Sequence, residues 1–357
     1  MPHRQWFLVS KPLRPPFGDG TSVLVRTLVD AMPREQTLAY FGDRRSPRRP
    51  GAGDLVIDKS AMGHAPTLSS KAGILAHVLM PKHRRRGLHF FFTPNAMTSQ
   101  VLVQLKTLGP GRPIIQSVTS SDGVERFAPQ LDRLDRVVTM SRHTLEALES
   151  AGVAGSKLQC IYPAVECVEA RAAFGSRRAL YAGDLDSASA KRLVGLGRRM
   201  AELGWTLVIA CRPKGEGDAR ARAALQAELA AQLQAGSVEL HGQVADFESL
   251  RVGCEVQLFV AEHLRRKVDL PLVLLEGLAR GQPLLGLDLP PLRELFGQGP
   301  CVGRLFGATD LIPGVLAALE DEAELRAWQA AGPLLVREHF SPEKMAHSYL
   351  ELYRGLG

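Results

Sequence analysis

The sequence predicts an α/β protein made of two doubly wound halves, each a parallel sheet with helices on both faces. Short apolar or β-branched runs alternate with longer helical patterns along nearly the whole chain. Strands that are apolar on both sides belong in parallel sheets covered on both faces. The alternation then restarts after the segment that runs from Pro163 to Phe174. A length of 357 residues suits about two domains and buries a large core without disulfide support.

In chain order, strands are expected over 6–9, 37–40, 54–57, 89–92, 113–118 and 136–139, with helices over 21–32, 97–108 and 141–151 between them. The segment 44–53, rich in Arg, Pro and Gly, is expected to be a loop. Ser141 suits the N-cap of its helix as well as it suits a functional role. Strand-like 157–162 then meets Pro163, which stiffens a turn between the halves and marks a hinge candidate. In the second half, strands are expected over 179–182, 206–210, 238–241, 256–260 and 283–287, with helices over 188–203, 219–234, 246–253 and 272–280. Two such halves in series are expected to hold a ligand in the cleft between them, at the carboxyl ends of the strands. Residues just after strands are therefore the ones to weigh.

Composition narrows the classes. No apolar run approaches the ~20 residues of a membrane helix, and the N-terminal MPHRQWFLVS meets Lys11, Pro12 and Arg14 too soon for a signal peptide. Five scattered cysteines without a CxxC exclude a disulfide framework or zinc ribbon and fit a reducing cytoplasm. Charge is uneven: residues 1–165 carry 22 Lys and Arg against 12 Asp and Glu, while the rest carries 22 against 25. The basic half is expected to meet an anionic partner. Its densest cluster, Lys82, His83, Arg84, Arg85 and Arg86, follows the apolar Ile74, Leu75, Val78, Leu79 and Met80. It reads as a solvated face, as a patch for anionic lipid, or as a nucleic-acid patch. No helix-turn-helix, zinc-finger or RNP pattern supports the last, so no nucleic-acid partner is expected.

Two segments carry chemistry. After the first strand, Pro15, Pro16, Phe17, Gly18, Asp19, Gly20 and Thr21 lead into a helix. Glycines there allow close backbone approach, and the helix N-terminus offers free N–H groups to an anion or a sugar oxygen, although a plain tight turn has the same composition. The second segment, VDLPLVLLEGLARGQP (268–283), reads as a loop, a helix apolar nearly all round, Gly281 as its C′ residue and a strand opened by Pro283. Glu276 is the one acid inside that helix. A buried carboxylate needs a hydrogen-bond partner, either the ribose hydroxyls of a nucleotide or backbone N–H groups of a neighbouring loop.

Six segments in this order resemble the family 4 glycosyltransferases of GT-B fold: PPFGDGTSVLVRTL, VVTMSRHTLEALESAGV with KLQCIYPAVE, LYAGDLDSASAK, VELHGQV, LVLLEGLARGQPLLGLDLPPLREL and REHFSPEKMAHSYLELYRGL. The resemblance spans nearly the whole chain. It implies two Rossmann-like domains facing each other across a cleft: an acceptor domain over 1–165, a donor domain over 166–338, and a closing helix in 339–357 that packs back on the first. It also implies retaining transfer of a sugar from a nucleotide-sugar, with no cofactor and no essential metal, to a sugar, lipid-linked or small-molecule acceptor. The expected location is cytoplasmic, with the Lys82 to Arg86 cluster reaching an anionic inner membrane face.

Residue by residue, the resemblance places Gly18 and Gly20 beside the diphosphate and the acceptor, with Asp19 between them. Lys191, after Gly183, resembles the phosphate-binding lysine, Glu276 resembles the ribose-binding glutamate, and the backbone at Leu272 and Val273 meets the diphosphate. The chain departs from the pattern at three places. Val268 stands where the first acid of Glu-x7-Glu is usual, Asp184 where an Arg is usual, and no His follows the strand that holds Gln116 and Thr119. His263, Arg265, Arg266 and especially Lys267 are candidates to supply the missing positive charge, and Asp269 the missing carboxylate. A GT-B protein that binds a nucleotide or glycan, or scaffolds a partner, without turnover is the alternative these departures favour. A GT-B relative with epimerase or phosphorylase chemistry is a third, with no residue pattern specific to it.

Overall fold

The computed structural model describes residues 5–11, 13, 17, 19–33, 36, 38–42, 55–58, 68–81, 85–109, 111–169, 172–213, 215–264 and 267–356, with only the backbone at 42, 55–58 and 68–71. The chain forms two compact units. The first comprises Met1–Val165, Leu264–Leu272 and Phe340–Gly357; the second comprises Glu166–His263 and Val273–His339.

In the first unit the order is β1 (Trp6–Val9), α1 (Gly20–Ala31), β2 (Leu38–Gly42), β3 (Leu55–Asp58), α2 (Leu68–Leu79), β4 (Gly87–Phe91), α3 (Ala96–Leu108), β5 (Ile114–Val118), α4 (Ala128–Leu131), β6 (Arg136–Thr139), α5 (Arg142–Ser150) and β7 (Leu158–Cys160). The seven strands lie parallel in the order β3-β2-β1-β4-β5-β6-β7. β1 shows why the strands read as apolar throughout. Trp6 and Leu8 enter the core on one face, Phe7 and Val9 the core on the other, as a period of two requires. Trp6 pairs with Gly87 across the sheet. A Cβ at Gly87 would come within 2.5 Å of the Trp6 ring, so only glycine fits there.

The second unit contains β8 (Arg178–Ala182), α6 (Ser187–Glu202), β9 (Thr206–Ala210), α7 (Glu216–Glu228), α8 (Ala230–Gln234), β10 (Val238–His241), α9 (Phe247–Val252), β11 (Val256–Phe259), α10 (Leu272–Ala279, all but its first residue), β12 (Leu284–Leu287), α11 (Pro290–Arg293), β13 (Gly303–Phe306), α12 (Leu311–Glu320) and α13 (Glu322–His339). Its six parallel strands run β10-β9-β8-β11-β12-β13. The chain then returns to the first unit as α14 (Pro342–Gly355). Among the described residues, no helix is long and apolar enough to cross a membrane.

Most expected elements form within one or two residues of their expected bounds. The helix expected over 219–234 breaks at Leu229 into α7 and α8, because Leu229 leaves helical geometry with φ −108° and ψ 18°. Gly281 ends α10 with φ +79°. Its N–H donates to Leu278 and that of Gln282 to Gly277, which is the Schellman arrangement expected of a C′ glycine.

α14 is seated on the first unit by a buried polar chain. His89, on β4, is fully buried. Its Nδ1 lies 2.7 Å from the Tyr353 hydroxyl and its Nε2 2.8 Å from Ser117 Oγ, which meets the Tyr349 hydroxyl at 3.1 Å. Trp6 stacks on Tyr353 with centroids 4.4 Å apart. Burial holds the His89 imidazole well below its ordinary pKa, so it is neutral, with one ring nitrogen donating and the other accepting. The unfolded chain binds a proton at this residue below about pH 6.5 and the folded chain does not. Unfolding free energy should therefore fall by up to about 1.4 kcal/mol per pH unit from this one group as pH drops below that point. Urea melts of wild type and His89→Gln between about pH 7.5 and 5.5 test this, with the variant expected to show the shallower slope; equal slopes would assign the pH dependence elsewhere.

Candidate functional site

In each sheet the strand order reverses direction once, between β1 and β4 in the first unit and between β8 and β11 in the second. Ligands of open parallel sheets bind outside the carboxyl ends of the strands at such a reversal.

At the reversal in the second unit, β8 runs through Gly183 and Asp184 to α6. The Gly183 N–H donates to Ala210 O at 3.2 Å, and Tyr181 donates its hydroxyl to the Asp184 carbonyl. Asp186 caps α6, its Oδ1 accepting from Ser189 N at 2.7 Å, and His263 Nε2 lies 3.8 Å from its other oxygen. Lys191 is exposed in the second turn of α6. Its neighbour Arg192 points the other way. Arg192 donates to the Val260 carbonyl at 3.5 Å, just past the end of β11, and pairs with Glu262. Arg192 thus spans the reversal between β8 and β11, a position that sequence reading did not assign to it. The helical phase held the signal. Ser189, Ala190, Leu193, Leu196, Gly197 and Met200 form the buried stripe of α6; Arg192 borders that stripe and Lys191 does not.

On α10, Glu276 is one-third exposed rather than fully buried. It pairs through Oε2 with Arg251, which is 3% exposed. Arg251 also donates to the Val273 carbonyl at 3.3 Å and lies 4.8 Å from the Phe247 ring centroid. Burial lowers the Arg251 pKa, and the Glu276 charge opposes that shift. No hydrogen bond engages Glu276 Oε1 among the described residues. The partner of this acid is therefore a buried guanidinium rather than a set of loop N–H groups.

In the first unit, Asp19 is the N-cap of α1. It accepts from the Ser22 backbone at 3.0 Å and pairs with Lys11 at 3.1 Å. Gly20 opens the helix, and a Cβ there would sit 3.3 Å from Val268 Cγ2 and 3.9 Å from Leu272 Cδ1. Val268 is buried and Lys267 half-buried. Asp269 has no exposed surface. Its carboxylate accepts from Ser121 N at 2.7 Å, Ser141 Oγ at 2.8 Å and Thr144 Oγ1 at 2.5 Å, while its own N–H donates to Thr119 O. Burial pushes the Asp269 carboxyl pKa up, and the three donors work against that. Ser141 both caps α5 and donates to Asp269. Asp269 was expected to stand in for a ligand-facing acid; here both of its oxygens are taken by protein donors.

Gly18, Lys82, His83, Arg84, Arg265 and Arg266 lie outside the described residues. Arg85 is exposed. Arg86 is turned inward: its Nε donates to Gln5 at 3.0 Å, its carbonyl accepts from Arg112, and burial lowers its pKa. It holds the entrance to β4 and is only partly exposed.

No family model and no curated protein sequence matches the chain. Solved structures do match over its full length. Sucrose-phosphate synthase from Thermosynechococcus elongatus aligns at TM-score 0.74 with 18% identity, covering 99% of both chains. Anabaena Alr3699/HepE in complex with UDP-glucose aligns at 0.73 with 12% identity, covering 99% of this chain and 100% of that one. The lipopolysaccharide outer core galactosyltransferase WaaB aligns at 0.64 with 13% identity, covering 98% and 99%. The chain has the GT-B fold.

Two substitutions check these assignments. Asp269→Ala should lower unfolding free energy by about 3 kcal/mol and speed amide exchange over 264–272; unchanged exchange there would mean that the three donors do not hold the segment. Glu276→Ala should cost about 2 kcal/mol more than Arg251→Leu, since only the former leaves a buried charge unpaired. Equal losses in chemical denaturation would contradict that.

Proposed function

We propose that the chain is a glycosyltransferase that takes a nucleotide-sugar donor on its second unit. The observation that carries this is its full-length similarity to a fold found with UDP-glucose bound. Local chemistry supports it. Glu276 keeps one free oxygen on a carboxylate held in place by Arg251, which suits the two hydroxyls of a ribose. Arg192 places a cation beside the reversal between β8 and β11, where a leaving diphosphate needs positive charge. The backbone at Leu272 and Val273 opens α10 and adds helix N–H groups. On this reading Arg192 exchanges Glu262 for a phosphate oxygen when donor binds.

The finer content of the proposal is transfer with retention of configuration, with side chains and helix ends rather than a metal stabilising the leaving group, and a sugar, lipid-linked or small-molecule acceptor taken on the first unit. Asp19 and Gly20 belong to that acceptor side.

Titrating the protein with UDP-, GDP- and ADP-sugars tests the proposal. One donor class should stabilise the fold by about 2.7 kcal/mol at a hundredfold excess over Kd and be slowly hydrolysed. Arg192→Ala should lower kcat/KM for that donor by about 100-fold, and Glu276→Gln should weaken donor binding by about tenfold without unfolding the protein. Failure of every nucleotide-sugar to bind would end the reading.

A further inference from the structure

The first unit carries a groove of about 400 Å³ between α3 and α4 that no step above uses. α3 contributes Ala96, Gln100 and Val103, spaced so that they share one helix face. The opposite wall is the turn Val124–Phe127 and α4, with Arg126, Phe127, Pro129 and Gln130, closed by Arg133. Gly123 opens that turn at φ +64°. The Arg126 guanidinium folds back over it, 3.6 Å from where a Cβ of Gly123 would be.

Three features of the lining point to one kind of ligand. First, Arg126 and Arg133 are exposed and have no ion-pair partner among the described residues. The nearby Asp132 accepts from Ala154 N and pairs with Lys157. Second, the half-buried Phe127 ring, with Val103 and Pro129, offers an apolar platform. Third, the amides of Gln100 and Gln130 line the walls, and Gln130 Oε1 is buried with no hydrogen-bond partner. Two guanidiniums select an oxyanion, a ring platform accepts the C–H face of a pyranose, and unengaged amides select hydroxyls.

We propose that this groove binds an acidic sugar, a pyranose bearing a carboxylate or a phosphate. Arg126 and Arg133 hold the oxyanion, Phe127 lies under the ring, and Gln100 and Gln130 meet its hydroxyls. Where the sugar is the acceptor or its end group, the inference rests on the transferase reading; the binding site itself does not.

Calorimetric titration of the full chain with glucose, glucuronate, glucose 6-phosphate and UMP tests it. Glucuronate or glucose 6-phosphate should bind, whichever of the two binds more tightly naming the oxyanion, while glucose should bind at least tenfold more weakly. Arg126→Ala with Arg133→Ala should reduce acidic-sugar binding at least tenfold, and both side chains are exposed, so the fold survives. Gln130→Leu should weaken the sugar phosphate but not inorganic phosphate. Binding unchanged in the double arginine variant, no binding of either acidic sugar at millimolar concentration, or a preference for UMP would overturn the proposal. Donor hydrolysis by the wild-type protein is measured separately: acidic-sugar binding through the two arginines without any donor hydrolysis would sink the transferase reading and leave the site standing.

Discussion

Every strand in both sheets runs in the same direction, so each sheet gathers all of its carboxyl ends along one edge. Parallel pairing forces the chain to cross back between strands through helices, and those helices cover both faces with apolar side chains. Faces sealed this way leave the edge loops and the outer helix surfaces as the places for chemistry. Arg192, Asp186, His263 and Glu262 all stand on loops or the first two helical turns at such an edge, and so do Asp19, Ser121, Ser141 and Asp269.

The two edges handle charge differently. In the second unit the charged groups remain partly wet: Arg192 and Glu262 are 15% and 53% exposed, His263 and Asp186 47% and 41%. Such pairs contribute little to stability and are readily exchanged for a ligand. In the first unit Asp269 is sealed and fully engaged. A sealed carboxylate with several donors fixes a local geometry that few other side chains can reproduce, and separating it from them leaves polar groups stranded. Glu276 stands between these cases, with one oxygen committed to a buried arginine and the other open.

Much of this was legible in the sequence, for physical reasons that differ by element. β1, β6, β9 and β10 were read with their final bounds because short apolar runs bracketed by polar residues and turns leave little freedom. The Ser141 cap and the Gly281 terminus were legible because each rests on local backbone geometry. β13 was missed: Gly303, Arg304, Leu305 and Phe306 carry too little apolar signal for a strand at a sheet edge. The partners of Asp269 were hidden for a different reason, lying 125 to 148 positions away in the chain, and no pattern of spacing encodes such contacts. The same holds for Arg251 and Glu276, 25 positions apart. Arg86 engages Gln5 and the Arg112 side chain at the entrance to β4, a local role that a run of basic residues, uniform in sequence, does not show.

α14 also bears on how the protein is made. Tyr349 and Tyr353 fill the space over Trp6 and His89, so the lobe that begins with β1 lacks part of its core until α14 is translated. Domains usually fold in the order of their synthesis, but here the leading lobe must wait, with a buried-type histidine and tryptophan uncovered, while the whole trailing lobe is produced. A nascent chain halted after residue 339 would have a finished second lobe and an unfinished first one, the reverse of the order in which their strands emerged.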